Sequence, residues 1–248
     1  MLEELLWEDP ACRRQSIPAD EETQKLLLRG LLNIRPPRPI GEDFLKVQDE
    51  YLQAAIAEKG ITDFRDLTPL QKNIYLWQGD ITTLKCDAIV NAANSGMTGC
   101  YCPCHGCIDN AIHTYAGIEL RLECAEIMKK QGYHEPVGRA KITKAYNLPS
   151  QYVIHTVGPY ISGKVTAENE EQLAACYRSC LQLADRNHLQ SIAFCCISTG
   201  EFNFPNQRAA EIALATVRKY QEQTNSGIEV IFNVYKTTDY EIYRELLG

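Results

Sequence analysis

The sequence predicts an α/β domain of three layers, with a mostly parallel sheet between helices, preceded by a segment of helices alone. From about residue 71, short runs rich in β-branched and aromatic residues alternate with helical patterns. Before that point the chain carries helical patterns and a proline-rich break. A length of 248 residues suits one sizeable core with an appendage. We therefore expect an N-terminal helical extension over 1–70 and the α/β domain over 71–248.

Start and stop signals define two helices of the extension. Asp20 can cap a leucine-rich helix, and RPPRP at 35–39 ends it because proline lacks an N–H donor and restricts the preceding residue. From Glu42 to Lys59 apolar residues recur mostly at steps of three and four, which predicts a helix with one apolar face. No residue here carries obvious chemistry, so we expect the extension to pack on, or cover, the domain that follows.

Six strands are predicted in the second part of the chain, with helices between them. The predicted strands are 73–79, 87–93, 139–146, 152–157, 191–199 and 228–235. The helical patterns cover 108–131, about 168–187 and about 206–222, with a short one after Asp239. Ligands of such sheets bind beyond the carboxyl ends of the strands, so the loops that follow strands are the places to search for a site.

The composition excludes several classes of function. The chain has 25 Lys plus Arg against 32 Asp plus Glu, a net charge of −7, and no basic run, which argues against gripping a nucleic-acid backbone. No stretch approaches about eighteen apolar residues and the first residues are acidic, so we expect a soluble, cytoplasmic chain without a membrane segment. In a reducing compartment its 11 cysteines are expected to be buried thiols or metal ligands.

Three loops after predicted strands carry groups suited to a ligand. Gly79–Thr82 offers an aspartate that can accept from an amino group or a hydroxyl, although Gly-Asp is also an ordinary turn. Asn91–Gly96 supplies two amides, which can equally satisfy their own backbone. Ser198–Pro205 is a glycine-bearing strand-to-helix turn that can direct backbone N–H groups at a diphosphate without needing lysine. On one sheet edge together, these loops favour a nucleotide-like ligand.

Four thiols and an imidazole fall within eight residues ahead of a predicted helix: Cys100, Cys102, Cys104, His105 and Cys107. Thiolate and imidazole are preferred ligands of Zn²⁺. A structural zinc knuckle is the alternative, but knuckles usually pair two such clusters and this chain has one. Ligands from a single short loop favour three protein ligands and an open position for water or substrate, as in a catalytic zinc site.

Two ionisable residues follow on the predicted helix. Asp109 lies near its start, where a carboxylate can cap the helix, orient a zinc ligand or act as a base. His113 lies on the same helical face, but its neighbours Ile112 and Tyr115 are typical of a packed, hydrogen-bonded histidine rather than a catalytic one.

Together these segments resemble the macrodomain family, whose members bind ADP-ribose. The matching segments are GDIT at 79–82, DAIVNAAN at 87–94, IDNAIHTYAG at 108–117, VIHTVGP at 153–159 and STGEFNFP at 198–205. Most hydrolytic macrodomains carry a run of glycines where this chain has its Cys/His cluster. That departure resembles the zinc-dependent microbial subgroup of MacroD-like protein-ADP-ribose hydrolases, which also has a helical N-terminal extension. The subgroup tends to be encoded beside a sirtuin-like ADP-ribosyltransferase and a lipoyl-carrier protein.

The resemblance implies a set of site residues. Asp80 and Ile81 match positions that hold the adenine, and Asn94 and Asp109 match residues that contact the distal ribose in hydrolases. The loop that wraps the diphosphate and flanks the distal ribose is matched by Ser198, Thr199, Gly200, Glu201 and Phe202. The zinc pattern is matched by Cys100, His105 and Cys107, which leaves Cys102 and Cys104 outside it.

Two departures from the family have physical consequences. Asn203 stands where many macrodomains have glycine, and asparagine tolerates a positive φ. Glu201 would repel a diphosphate if its side chain pointed inward, so we expect that side chain to face solvent while its N–H binds.

The resemblance implies zinc-dependent removal of mono-ADP-ribose from a modified protein, from an ester of Asp or Glu. Zinc would act as a Lewis acid or lower the pKa of a bound water, Asp109 would orient or deprotonate the nucleophile, and Asn94 would hold the ribose. Two other functions stay open: an ADP-ribose reader without catalysis and with a structural zinc site, and a structural or redox role for the cysteine cluster. The expected partners are an ADP-ribosylated protein, with a lipoyl-carrier protein as one candidate, and the ADP-ribose product, without nucleic acid or membrane.

Overall fold

The computed structural model describes residues 1–248, with helices first and then strands alternating with helices. The helices are α1 (Leu2–Glu8), α2 (Glu21–Ile34), α3 (Glu42–Lys59), α4 (Ile108–Ala116), α5 (Ile118–Gln131), α6 (Ala167–Arg186), α7 (Asn206–Thr224) and α8 (Thr237–Leu247). The strands are β1 (Thr62–Asp63), β2 (Ile74–Gln78), β3 (Leu84–Lys85), β4 (Ala88–Ala92), β5 (Ala140–Lys144), β6 (Tyr152–Thr156), β7 (Ser191–Phe194) and β8 (Glu229–Val234).

Six of the strands form one mixed sheet in the order β2-β8-β7-β4-β6-β5. All neighbouring pairs are parallel except β5, which runs antiparallel to β6 at one edge. The short strands β1 and β3 form a separate parallel pair. Helices flank the sheet, and the predicted α/β/α class with a mostly parallel sheet is confirmed.

The strands inside the sheet are mainly apolar because helices cover the sheet, whereas the edge strand β5 carries Lys141 and Lys144. Ile89 and Val90 in β4 and Ile192 in β7 are fully buried, and they belong to a core of 46 buried residues that includes side chains from α6 and α7. Because these strands are parallel, their carboxyl ends lie at one edge of the sheet, where the predicted loops emerge.

The boundaries differ from the predicted ones at two informative places. The predicted helix over 108–131 is two helices, since Gly117 between them adopts φ 101°, a conformation that L side chains rarely adopt. The predicted strand 191–199 ends at Phe194, ahead of a turn in which Ser198 adopts φ 65°. Helix α1 and the two short strands had no clear sequence signal.

The extension packs on the domain through its own small cluster. The Asp20 carboxylate accepts a hydrogen bond from the Thr23 N–H at 2.9 Å and caps α2 as predicted, and α2 ends before the proline-rich segment. Apolar side chains of α1, α2 and α3 form a seven-residue cluster with Ile118 of α5. Ile56 of α3 joins the main core instead. No helix combines the length and apolar character that crossing a membrane requires.

Candidate functional site

A cleft of about 950 Å³ opens at the carboxyl edge of the sheet. Its volume falls within the range of small-molecule sites, roughly 300–1,000 Å³. The loops after β2, β4, β7 and β8 line it, and the loop after β4 contains the cysteine-rich segment. Every predicted site residue lies on its wall: Asp80, Ile81, Asn94, Cys100, His105, Cys107, Asp109, Ser198, Thr199, Gly200, Glu201 and Phe202. Four loops distant in sequence therefore form one site.

The Asp80 carboxylate marks one end of the cleft. Its Oδ1 accepts hydrogen bonds from the backbone N–H and the hydroxyl of Thr82, at 3.0 and 2.6 Å, while its Oδ2 lies 2.7 Å from Lys59 Nζ. Burial opposes ionisation, but the hydrogen bonds from Lys59 and Thr82 outweigh it and lower the pKa of Asp80. The same side chain thus closes a local turn and presents a charged acceptor to the cleft.

Lys59 reaches this end of the cleft from the last residue of α3. Its ammonium also lies 3.4 Å from the ring centroid of Tyr115, where cation–π attraction holds it. Sequence reasoning missed this residue because it lies in a helical pattern that carries no motif.

The turn over 198–205 presents unpaired backbone donors to the middle of the cleft. It is closed by hydrogen bonds from Phe204 N to Ser198 O at 2.9 Å and from Asn203 N to Gly200 O at 3.1 Å. The N–H groups of Gly200, Glu201 and Phe202 have no acceptor within the protein. Such a row of donors suits an anion.

Backbone conformation and close packing fix this turn. Asn203 adopts φ 56°, in agreement with the tolerance expected of asparagine. A Cβ at Gly158 would lie 2.0 Å from the Ser198 hydroxyl, so only glycine permits the contact between that loop and the turn. The Glu201 side chain is 70% exposed, as expected, but its Oε1 also lies 3.6 Å from His105 Nε2.

The other end of the cleft is formed by residues 100–107, called here the metal loop. Ligand atoms of Cys100, His105 and Cys107 all lie within 4.8 Å of one another. The distance from Cys100 Sγ to His105 Nδ1 is 3.6 Å. This is close to the separation of about 3.5 Å that tetrahedral zinc with ordinary Zn–S and Zn–N bonds would give these two atoms. The donor set therefore fits Zn²⁺ in both chemistry and spacing.

Cys107 occupies the N-cap position of α4, where its Sγ accepts from Asn110 N at 3.4 Å. The positive end of a helix favours a thiolate. Burial nevertheless raises the pKa of Cys107 to about 12, so the thiolate needed for ligation depends on a bound cation. Cys102 and Cys104 are exposed and lie outside the ligand group.

Asp109 lies between the metal loop and two amides, Asn91 of β4 and Asn94 of the loop that follows it. Asn91 Nδ2 donates to its Oδ1 at 2.8 Å, and Asn94 Nδ2 donates to its Oδ2 at 3.1 Å. Burial raises the pKa of Asp109 to about 6, although these two amides and Arg121 oppose the shift. The carboxylate accepts from side chains, and Cys107 caps the helix, so the capping interpretation of Asp109 is wrong.

A buried polar network continues behind Asp109. Asn91 Nδ2 also lies 3.1 Å from His155 Nδ1, which makes Nδ1 an acceptor and places the ring proton on Nε2, 3.0 Å from Thr143 Oγ1. Burial lowers the pKa of His155 to about 3, so the ring is neutral. His113 and Cys124 bring further ligand-type atoms within 4.8 Å of His155, but the proton on Nε2 makes this group a hydrogen-bonded core rather than a metal site.

His113 is packed, as the sequence suggested, but neither of its ring nitrogens makes a hydrogen bond. Its Nε2 lies 3.6 Å from Asp109 Oδ1, and its ring packs on Gly99, where a Cβ would come within 2.8 Å of the ring. Burial lowers its pKa well below the usual value. It therefore stays neutral behind the site.

The strand order, the antiparallel edge strand and the cleft over the carboxyl edge define an α/β/α ligand-binding protein of the macrodomain class. Sequence comparison agrees, since the profile of the Macro domain family matches residues 90–213. The chain belongs to that family.

Relatives cover nearly the whole chain. A protein of Treponema medium named Protein-ADP-ribose hydrolase is 55% identical over 252 residues, which span 100% of this chain and 97% of the relative. A protein of the same name from Staphylococcus aureus (strain MSSA476) is 52% identical over 231 residues, 92% of this chain and 86% of the relative.

Two solved structures extend the comparison. A Trypanosoma brucei macrodomain in complex with ADP-ribose superposes with a TM-score of 0.68 at 31% identity, covering 85% of this chain and 92% of that one. A variant of the Oceanobacillus iheyensis macrodomain with ADPR gives 0.66 at 38% identity, covering 73% and 95%.

Proposed function

We propose that this protein is a hydrolase that removes mono-ADP-ribose from modified proteins and works with a Zn²⁺ ion bound by Cys100, His105 and Cys107. The relatives named Protein-ADP-ribose hydrolase support the reaction. The observation that carries the mechanism is the position of Asp109, whose buried carboxylate is held at both oxygens in the cleft that also contains the three ligand-type side chains.

The proposed binding mode follows the chemistry of the cleft. The Asp80 carboxylate is charged and accepts the exocyclic amino group of adenine, beside Ile81. The unpaired N–H groups of Gly200, Glu201 and Phe202 bind the diphosphate, within the turn that begins at Ser198 and Thr199. The distal ribose then lies toward Asn94 and Asp109. In this binding mode each group of predicted site residues contacts one part of ADP-ribose.

The bond to be cleaved joins C1 of the distal ribose to the acyl oxygen of an Asp or Glu ester, and water supplies the oxygen and the protons of the products. A bound Zn²⁺ supplies Lewis acidity toward a hydroxyl or carbonyl oxygen, or lowers the pKa of a coordinated water. Asp109 orients the nucleophile and accepts its proton. Asn94 and Asn91 hold the carboxylate in one orientation, so that less geometric freedom is lost in reaching the transition state.

The partner is an ADP-ribosylated protein that carries the modification on an acidic side chain, and a lipoyl-carrier protein is one candidate. The chain would divide functionally at about residue 70, with the macrodomain over 71–248 and the helical extension over 1–70.

Release of ADP-ribose from defined acceptors tests this function. One protein should carry mono-ADP-ribose on glutamate and a matched protein should carry it on serine; chromatography then measures free ADP-ribose. We expect release from the ester, loss of release after chelation, and recovery when Zn²⁺ alone is restored. Binding of ADP-ribose without release would instead identify a reader, and full activity after verified metal removal would make the cysteine cluster structural.

Isotope labelling resolves the site of attack. In ¹⁸O-labelled water, label in the released ADP-ribose indicates attack at the sugar carbon, whereas label in the acceptor carboxylate indicates attack at the acyl carbon.

A further inference from the structure

Helix α2 of the extension contacts the metal loop directly. Arg29 Nη2 donates to the backbone carbonyl of His105 at 3.0 Å and to Asn110 Oδ1 at 2.8 Å. Asn33 Oδ1 accepts from the Cys104 N–H at 2.9 Å, and the Cys104 thiol lies 3.4 Å from the carbonyl oxygen of Leu26. Residues on three consecutive turns of α2 thus form hydrogen bonds with Cys104 and His105 of the metal loop.

The metal loop has little support of its own. Its single internal backbone hydrogen bond runs from His105 N to Cys102 O at 3.3 Å. Cys104 adopts φ 54°, a conformation that non-glycine residues occupy infrequently. A loop with these properties samples other shapes unless outside contacts hold it, and Asn33 bonds the very residue that carries the unusual φ.

The contacts from α2 are themselves fixed. Asn33 is 1% exposed and donates to Thr114 Oγ1 of α4 at 2.9 Å. Arg121 of α5 donates to the carbonyls of Leu32 and Asn33 at the end of α2, at 3.1 and 2.7 Å, and its guanidinium lies 4.4 Å from the ring centroid of Tyr101 in the metal loop. Helix α5 is therefore connected to α2 by hydrogen bonds and to the metal loop by the cation–π contact with Tyr101.

We propose that α2 is part of the metal site, with Arg29 and Asn33 as positioning residues that hold the metal loop in its ligating shape. The inference rests on the proposed function, because it assigns the extension to the metal that the function requires. A guanidinium that fixes the His105 carbonyl restricts where the imidazole can lie. Loss of such outer contacts at a metal site typically weakens metal binding by roughly 10–100-fold.

The test is the zinc dissociation constant of the full chain, measured with Zn²⁺ alone against a chromogenic chelator. We expect Arg29→Met to weaken zinc binding by at least about tenfold. Arg29→Lys should recover part of the loss, because an ammonium can bond one of the two acceptors but lacks the fork that reaches both. Lys25→Met is the matched control on the same helix, since Lys25 pairs only with exposed Glu21 and Glu22 there, and it should stay within twofold of wild type.

Stability needs its own control. Leu189→Ala removes a buried side chain of the main core from the segment that leads into β7, at the opposite edge of the sheet from the cleft, so it lowers the melting temperature and should leave zinc affinity intact. If Leu189→Ala weakens zinc binding as much as Arg29→Met at an equal drop in melting temperature, the positioning role is overturned. Equal zinc affinity of Arg29→Met and wild type overturns it too, whereas a wild-type chain that binds no zinc overturns the proposed metal function itself.

Discussion

At one end of the cleft Asp80 is held by Thr82, two residues away, with Lys59 as its one distant partner. At the other end the metal loop is held by Asn110 and Arg121 of the domain and, from more than seventy positions earlier, by Arg29 and Asn33 of the extension. The first end is thus a local turn that a short motif encodes, whereas the second depends on packing between the extension and the domain. Substitutions at the two ends should therefore have different effects on binding, turnover and stability, and the following experiments test that difference.

The largest effect is expected at Asp109. Asp109→Ala should lower turnover by roughly 10²–10⁴-fold, the usual contribution of a positioned acid or base, while ADP-ribose affinity stays close to wild type because the other end and the turn over 198–205 are intact. Single-turnover kinetics and calorimetry measure the two quantities. Zinc content is determined alongside, and a zinc-replete variant with near wild-type turnover would remove Asp109 from the mechanism.

The buried network behind the metal end makes stability depend on pH. His155 has a pKa of about 3 when folded and about 6.5 when unfolded, so below pH 6.5 the unfolded chain binds the extra proton and stability falls. Between pH 6.5 and 4 this residue should cost wild type about 3 kcal/mol, at 1.36 kcal/mol per pH unit.

Urea unfolding at several pH values measures that contribution as the difference between wild type and His155→Gln, because Asp109, with its raised pKa, changes stability in the opposite direction over the same range. His155→Gln should lose less stability on acidification than wild type, while His134→Gln, at an exposed position, should behave as wild type does. An equal slope in His155→Gln and wild type would show that other groups carry the acid sensitivity.

Zinc binding should separate the thiols of the metal loop. Cys107→Ala removes a proposed ligand, so it should weaken zinc affinity by more than the roughly 10–100-fold expected when a residue that only supports a ligand is lost. Hydrolysis should fall with it. Cys102→Ala should keep both, because Cys102 is exposed and outside the ligand group. Equal losses in the two variants would mean that the ligands are wrongly assigned.

A smaller effect is expected in the middle of the cleft. Gly200→Val should weaken ADP-ribose binding by about tenfold, or 1.4 kcal/mol, since a β-branched side chain hinders the approach of phosphate to the adjacent N–H groups. The folded chain has room there, with no atom within 4 Å of an added Cβ, so the melting temperature should change little. Unchanged affinity by calorimetry would exclude this turn from the site.

The smallest effect is expected at the Asp80 end. Lys59→Met removes a cation beside Asp80 and should weaken binding of the anionic ligand by only about threefold, because partly exposed ion pairs contribute little. The loss should shrink as salt rises, since ions screen the attraction. A loss above about thirtyfold, or one that salt does not change, would show that Lys59 contacts the ligand directly.

Sequence reasoning located the loops of the cleft that follow β2, β4 and β7, because each follows a strand whose apolar run is easily recognised, but it did not single out the loop after β8. It also placed the strands of the six-stranded sheet within about two residues, except at 191–199, where the strand ends at Phe194, ahead of the turn in which Ser198 adopts a positive φ. Gly117 divides the helix predicted over 108–131, and a glycine within a helical pattern does not by itself reveal that it breaks the helix. The zinc ion and the ligand set stay predictions that the geometry supports.

The supporting residues could not be predicted in the same way. Arg29, Asn33 and Lys59 lie in helical patterns where a polar residue ordinarily faces solvent. Only the docking of α2 and α3 on the domain brings Arg29 and Lys59 to the cleft and Asn33 to the metal loop. Asn91 connects Asp109 to His155, and this contact likewise depends on three segments of the chain that meet only in the folded protein.

The contact between Gly158 and Ser198 limits how this protein can vary. A Cβ at position 158 would come within 2.0 Å of the Ser198 hydroxyl and 2.9 Å of Ile197 Cγ2, so a larger residue there requires the segment 197–198, about forty residues later in the chain, to move. Any side chain at 158 would displace the start of the turn and with it the row of N–H donors over 200–202. Variation that leaves the ligand-contacting residues untouched can therefore still abolish binding through a residue whose contribution is the absence of a side chain.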